Sequence, residues 1–323
     1  MNNLNIALPK RKTKIKTIAP GVGYMRIVMV NVYFVSSISD PDKWILVDCG
    51  MGPCSAQIKN AAKEYFGDDT APSAIILTHG HFDHVGALPD LAREWNIPVY
   101  AHKMEMPYLT GKSSYPPPDP TVGKGIMPLF SPLFKRTPID LGQQIQELKE
   151  NDTIPGFPEW KIIYTPGHSP GHISLFRDYD RTLIVGDAFV TVQQESAFAI
   201  ITQKQEVNPP PAYFTIDWYS SEKSLRKLAE LKPEVAGTGH GIPMKGIVLR
   251  FQLDNLVKNF NEVAVPNQGR YVHQPVIANE NGIVAIPKKV DNPYYKMIFS
   301  AALITLAGIA IYKAVDASRQ QSY

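Results

Sequence analysis

The segment that most restricts this chain is Thr78-His79-Gly80-His81-Phe82-Asp83-His84. It follows an apolar stretch, Ala74 to Leu77, that reads as a buried strand. It leads into Asp83 to Trp95, where Val85, Leu88, Leu91 and Trp95 share one face at helical spacing. Four side chains able to bind a cation are thus packed into six residues on a strand-to-helix loop. Imidazole and carboxylate bind borderline divalent metals such as zinc without thiolate help. In an extended segment His79 and His81 point the same way, because side-chain direction repeats every two residues. Asp83 and His84 fall on the next turn and point elsewhere. One short loop can therefore feed two neighbouring metal positions.

Such a loop needs further ligands, and the chain offers three. His168 lies in Thr-Pro-Gly-His-Ser-Pro-Gly-His after a strand-like run. Asp187 ends the strand-like Leu183-Ile184-Val185-Gly186. His240 lies in Gly-Thr-Gly-His-Gly after Glu234 to Ala236. All three stand at strand-to-loop junctions, where α/β proteins place their sites. His172 reads as a hydrogen-bonding loop residue, and His102 as a supporting or surface residue.

The rest of the chain supports an interleaved α/β architecture. Strands are expected at Ile27 to Val35, Trp44 to Val47, Pro98 to Ala101, Trp160 to Thr165, Ile173 to Phe176, Thr182 to Val185 and Ala197 to Ile201. Helical spacing marks Pro53 to Phe66, Phe214 to Leu231 and Gly246 to Ala264. Asn281-Gly282 inside Val276 to Ile286 is a type I′ hairpin signal. Residues 107–138 hold eight prolines, a density that no helix is expected to survive, and read as a lid or substrate loop.

Composition excludes several function classes. With 44% hydrophobic and 20% charged residues the chain is not disordered. Two cysteines, Cys49 and Cys54, rule out a disulfide scaffold and a thiolate zinc cluster. The net charge is +3, but Lys10, Arg11, Lys12, Lys14 and Lys16 carry five of the positive charges. The remaining body is slightly acidic, so nucleic acid is not an expected partner. Residues 1–20 read as a basic N-terminal arm. Near the other end, 297–312 carries no charge and is bracketed by Lys296 and Lys313. As a helix it would span ~24 Å against a ~30 Å hydrocarbon core, a deficit that snorkelling lysines and flanking tyrosines could bridge. It is expected to be a single-pass membrane anchor, with the catalytic domain on the cytoplasmic side and 313–323 as a short tail; the alternative is a terminal helix buried against the body or in a dimer of a soluble cytoplasmic protein.

The His-x-His-x-Asp-His segment, followed in order by Gly-His, Gly-Asp and a last Gly-His, resembles the metallo-β-lactamase superfamily over residues 21–245. The resemblance implies a four-layer αβ/βα sandwich; the chain is read as a catalytic domain over 21–265 followed by a hairpin extension over 266–291. It implies that His79, His81 and His168 hold one metal, that Asp83, His84 and His240 hold a second, and that Asp187 bridges them. Asp48, in Leu-Val-Asp-Cys-Gly, matches an acidic position that supports a ligand. The implied cofactor is a pair of divalent ions, zinc being the expected species. A metal pair acidifies a shared water, so hydrolysis by a bridging hydroxide is expected, with Asp83 orienting it or passing a proton.

β-Lactamases of the best-known type place a cysteine on the second metal, and neither cysteine here lies near that region. The His/Asp set looks like the glyoxalase II and lactonase branch, and the expected partner is a small acyl substrate, a lactone or thioester. The alternatives are a mononuclear-iron oxidoreductase resembling persulfide dioxygenases and a non-catalytic membrane-tethered binding protein. The sequence does not fix an oligomeric state.

Overall fold

In the computed structural model, which describes residues 14–40, 42–67, 70–122, 125–149, 152–291, 297, 299–301 and 304–305, the strands form two large sheets and a hairpin. The first sheet runs in chain order through β1 (Lys16–Ala19), β2 (Val22–Ile27), β3 (Val30–Ser36), β4 (Trp44–Val47), β5 (Ala74–Ile76), β6 (Val99–His102) and β7 (Ile145–Leu148). Its first four strands are antiparallel and its last four parallel. The second sheet contains β8 (Thr153–Ile154), β9 (Phe157–Tyr164), β10 (Ile173–Arg177), β11 (Thr182–Gly186), β12 (Val235–Thr238) and β13 (Met244–Lys245), ordered β13-β12-β11-β10-β9-β8. The hairpin is β14 (Ile277–Asn279) with β15 (Gly282–Ala285), turning at Asn281-Gly282 as the dipeptide predicts.

Strand periodicity explains the layering. On β4, Trp44 and Leu46 enter a core with Ile58 and Ala62 of α1 (Ser55–Phe66) and Leu88 and Leu91 of α2 (Leu88–Trp95). The alternate residues Ile45 and Val47 face the other sheet and meet Trp160, Ile162 and Leu175. The second sheet repeats the pattern. Ile184 faces inward, while Leu183 and Val185 face the longer helices that follow. Both sheets are therefore apolar on both faces, with helices outside and sheet against sheet within.

Several elements differ from expectation. Ile27 to Val35 is not one strand, because Val28 turns with φ +57° and separates β2 from β3. Lys16–Ala19, placed by composition in the basic arm, pairs with β2, and residues 1–13 lie outside the described residues. Asp83 to Ala87 form turns, and α2 begins only at Leu88. The proline-rich insertion includes α3 (Met106–Leu109) and α4 (Ile126–Phe130), each a single short turn with proline near its start or inside it. Ala197 to Ile201, read as a strand, is α5 (Ala197–Thr202), started by Ser196, whose hydroxyl accepts the Ala199 N–H. Next come α6 (Trp218–Glu230), α7 (Gly246–Lys258) and α8 (Phe260–Val263).

The C-terminal membrane anchor, and the membrane location and partnership drawn from it, are corrected. Among the described residues no helix is long and apolar enough to cross a membrane. Most of 297–312, and all of the tail beyond it, lies outside the described residues. Sixteen uncharged residues fall several ångströms short of a bilayer core even as one continuous helix, as the ~24 Å length already implies. Phe299, one of the described residues there, has its ring 6.1 Å from that of Phe130.

The two halves are joined at the edge where the parallel strands end. Asn31 N–H donates to Gly239 O, and its side-chain amide donates to Thr238 O at 2.9 Å and Gly241 O at 2.7 Å. Tyr33 hydroxyl donates to the same Thr238 carbonyl at 2.7 Å. All of these groups are buried. Asn31→Ala is expected to lower unfolding free energy by about 1–3 kcal/mol, since it strips a donor from two buried carbonyls. Asn31→Asp should cost more, because a carboxylate can only accept. Urea denaturation of both variants measures this, and equal stability of Asn31→Asp and wild type would refute it.

Candidate metal centre

β5 runs straight into the histidine loop. Asp48, just past β4 and in the left-handed region at φ +60°, accepts Thr78 N–H at 2.8 Å and Thr78 hydroxyl at 2.7 Å. The loop leaves extended as far as His81, then closes a turn through His84 N–H and Val85 N–H, both donating to His81 O. That turn separates His79 and His81 from Asp83 and His84. β10 brings up the next loop, Ile173 N–H donating to Thr78 O at 2.9 Å. β11 and β12, parallel neighbours, deliver Asp187 and His240 from their ends.

The seven residues singled out by sequence converge. His79 Nε2, His81 Nδ1 and His168 Nε2 form one group, with two of the three separations at 3.0 Å. Asp83, His84 and His240 form another, His240 Nε2 lying 3.4 Å from Asp83 Oδ2. Asp187 Oδ2 lies between them, 3.4 Å from His168 Nε2, 3.2 Å from His240 Nε2 and 3.6 Å from His84 Nε2. With metal–nitrogen bonds of ~2.0–2.1 Å, the edge of a tetrahedral site is about 3.4 Å. The observed spacings bracket that value.

Hydrogen bonds behind the site set the tautomers. His240 Nδ1 lies 2.8 Å from Met29 O, a carbonyl that can only accept, so Nδ1 carries the proton. His84 Nδ1 likewise faces Asp48 Oδ2 at 2.8 Å. In neutral imidazole each Nε2 then presents a lone pair to carboxylate oxygens. Lone pair facing lone pair is repulsive unless positive charge lies between them, and His84 Nε2 and Asp187 Oδ1 are buried without a hydrogen-bond partner. This donor set fits a divalent cation.

The electrostatics agree. Burial pushes His79 and His81 well below the usual imidazole range, neighbouring imidazoles adding to the effect. Burial brings His168 down to about 4 against the pull of Asp187. Those three are neutral donors. Burial also opposes charge on His84 and His240, but Asp187, with Asp48 beside the first and Asp83 beside the second, outweighs it and raises both. Burial works against the Asp187 carboxylate too, yet His240 and His84 hold it well below its ordinary range. The carboxylates thus draw positive charge to the place where the ligand atoms meet.

Supporting contacts emerge around the site, those of His172 in line with its reading as a hydrogen-bonding loop residue and those of Glu105 unassigned by the sequence. His172 Nδ1 faces Thr165 Oγ1 at 2.8 Å, and its Nε2 accepts Asp187 N–H at 2.8 Å, fixing the backbone of the shared aspartate. Gly186, at φ +63°, leaves room for that ring, because a Cβ there would lie 2.5 Å from His172 Nε2. The buried Glu105 accepts from both histidine loops. Its position in Lys-Met-Glu-Met carries no motif. Only the chain reversal after β6 brings it under the site. His102 stays outside the ligand groups, stacked on Tyr164 at 4.3 Å. Cys49 and Cys54 are free and buried in the core beneath α1.

Comparisons with known proteins agree with this picture. Residues 25–240 match the family model described as the metallo-beta-lactamase superfamily. The chain is 46% identical to YflN of Bacillus subtilis strain 168, named a probable metallo-hydrolase, over 76% of this chain and 93% of that protein. It is 31% identical to YybB of the same organism, also named a probable metallo-hydrolase, over 63% and 78%. Among solved structures, a β-lactamase domain protein from Burkholderia ambifaria superposes with a TM-score of 0.52 at 19% identity, covering 76% of each chain. That likeness shows the fold alone.

Two outcomes follow from the geometry. A Cβ at Gly239 would lie 2.1 Å from Asp187 Oδ1 and 2.8 Å from the His84 ring. Gly239→Ala should therefore weaken divalent-metal binding 10–100-fold or more, with native circular dichroism retained. Chelator competition measures it, and wild-type affinity would refute it. The second outcome concerns pH. Burial lowers folded His172 to about 3 from 6.5. Between those values the unfolded chain binds more protons, so stability is complete above ~6.5 and is lost as pH falls. In metal-free protein, His172→Gln should make that loss shallower by up to about 1.4 kcal/mol per pH unit. An unchanged slope in urea titrations from pH 6.5 to 4 would refute it.

Proposed function

The chain belongs to the metallo-β-lactamase superfamily, and on that premise we propose that it is a dinuclear metal-dependent hydrolase cleaving a small ester-like acyl bond. The observation that carries this reading is Asp187 Oδ2, shared between the three-histidine group and the Asp83–His84–His240 group. One carboxylate oxygen within 3.4 Å of ligand atoms from both groups favours two adjacent cations over one. His79, His81 and His168 would hold the first, and Asp83, His84 and His240 the second. Zinc suits a set of five imidazoles and two carboxylates. When bound, such a pair supplies Lewis acidity and an acidified water near neutral pH.

The chain's own residues handle the proton. Of the two carboxylates in the ligand groups, the Asp83 side chain is the more open, 11% exposed against 3% for Asp187. Asp83 therefore faces the side from which substrate arrives. It can take a proton from the attacking water and pass it to the leaving oxygen or sulfur. Asp48 and His172, each fixed behind a ligand, hold His84 and Asp187 in place while charge shifts.

An apolar wall favours an acyl substrate. The Phe214 ring stacks on His81 at 4.7 Å, and Phe134 of the proline-rich insertion lies 5.9 Å from Phe214 and 5.6 Å from Phe82. Met127 packs against the same cluster. Such a surface suits the alkyl part of a lactone or thioester rather than a phosphodiester. This is the glyoxalase II and lactonase kind of chemistry, and relatives named probable metallo-hydrolases support the hydrolytic part of it.

A panel of lactones, thioesters, phosphodiesters and β-lactams tests the proposal on zinc-loaded protein. Lactones or thioesters should turn over fastest, with kcat/KM rising about fourfold per added methylene, from ~0.8 kcal/mol of burial each. Phe134→Ala should flatten that dependence. Faster turnover of phosphodiesters or β-lactams, or no chain-length dependence, would overturn the substrate assignment. One iron per chain with oxygen uptake would overturn hydrolysis itself.

A further inference from the structure

Glu105 lies between β6 and α3, fully buried, and its carboxylate is surrounded by donors. Oε2 accepts Gly80 N–H at 2.9 Å and the Tyr115 hydroxyl. Oε1 accepts the Ser169 hydroxyl and Gly171 N–H, each at 2.7 Å. Gly80 stands between His79 and His81, and Ser169 follows His168. One carboxylate therefore ties together the two loops that supply the three-histidine group. Two of its four donors are main-chain N–H groups, which cannot accept, so the arrangement satisfies the ionised form. Among the described residues Glu105 has no ion-pair partner. Burying a carboxylate without one is costly unless a positive charge stands nearby.

The other ligand group has a matching feature. Asp48 is a buried carboxylate that orients His84 and braces the same loop through Thr78. Among the described residues, no carboxylate is bonded in this way to a ring of the three-histidine group. Tyr115 completes the contrast. Its hydroxyl also takes the Gly80 N–H at 2.9 Å, while its ring packs edge-on to His81 at 4.5 Å. The proline-rich insertion thus reaches the loop through the same carboxylate.

We propose that Glu105 is the positioning residue of the three-histidine metal position: it sets the separation of the His79–His81 and His168 loops and supplies the countercharge behind them. The proposal rests on the reading that these histidines hold a metal. Zinc affinity, measured by chelator competition on the full chain, tests it in two backgrounds. His240→Ala disables the Asp83–His84–His240 group, and His168→Ala disables the three-histidine group. In the His240→Ala background, Glu105→Gln should weaken zinc binding 10–100-fold. In the His168→Ala background it should change affinity by less than about threefold. Equal loss in both backgrounds would mean general loosening of the fold and would overturn the proposal, as would no loss in either.

Ser169→Ala and Tyr115→Phe each remove one donor and keep the charge. They serve if Glu105→Gln does not fold, and a several-fold loss confined to the His240→Ala background is expected of both. Loss in both backgrounds, or in neither, overturns the proposal by this route too. Failure of the underlying reading is separate: wild-type protein would then bind fewer than two zinc ions per chain.

Discussion

Seven ligand-type side chains meet at the edge of this sandwich with their lone pairs facing one another. A set of neutral nitrogens at 3.0 Å and a carboxylate oxygen between two groups is an arrangement proteins avoid unless a cation is meant to resolve it. Much of the surrounding structure serves to hold these groups against their repulsion. Asp48 fixes His84, Met29 O fixes His240, His172 fixes the backbone of Asp187, and Asn31 pins the strand end that carries His240. Asp48 and His172 are themselves buried and hydrogen-bonded, so the cost of the cluster is spread through both sheets.

The sandwich makes that distribution possible. Strands of both sheets end at one edge, and main-chain bonds cross between the sheets there, from Asn31 to Gly239 and from Ile173 to Thr78. Close packing on both faces of each sheet leaves the strand ends little freedom. The proline-rich insertion is held by its own hydrogen bonds, such as Tyr115 N–H to Arg136 O, and also by its neighbours. Asp119 accepts Arg270 N–H, the Tyr271 hydroxyl donates to Pro117 O at 2.5 Å, and Ile283 N–H reaches Ser113 Oγ at 3.3 Å. The hairpin extension therefore braces the loop that brings Phe134 to the site. A freely swinging lid would not have such anchors on three of its residues.

Reading the sequence picked out the seven side chains that converge because their signals are local. Histidine density in 79–84, glycine beside His168, Asp187 and His240, and the preceding apolar runs all lie within a few residues. Short apolar runs placed Trp44 to Val47 and Thr182 to Val185 as strands, and they are β4 and most of β11. Other assignments failed where local pattern was ambiguous. Ala197 to Ile201 is apolar enough for either state, and a serine cap decides for helix. Ile27 to Val35 looked continuous because nothing in Val28-Met29 announces a turn. The terminal apolar run lacked the length that a membrane helix needs.

What the sequence determined alone is the identity of the side chains that converge, the order in which the chain delivers them, and an interleaved α/β architecture. These depend on residue chemistry and on periods of two and 3.6, both legible in one dimension. Tertiary structure alone decided which nitrogen of each histidine faces inward, that one oxygen of Asp187 lies within 3.6 Å of atoms from both groups, and which partners Glu105, His172 and Asn31 take. Those residues act across 15 to 210 positions of chain. A hydrogen bond depends on distance in space, and a contact that closes only when two sheets pack leaves no periodic trace in the residues that make it.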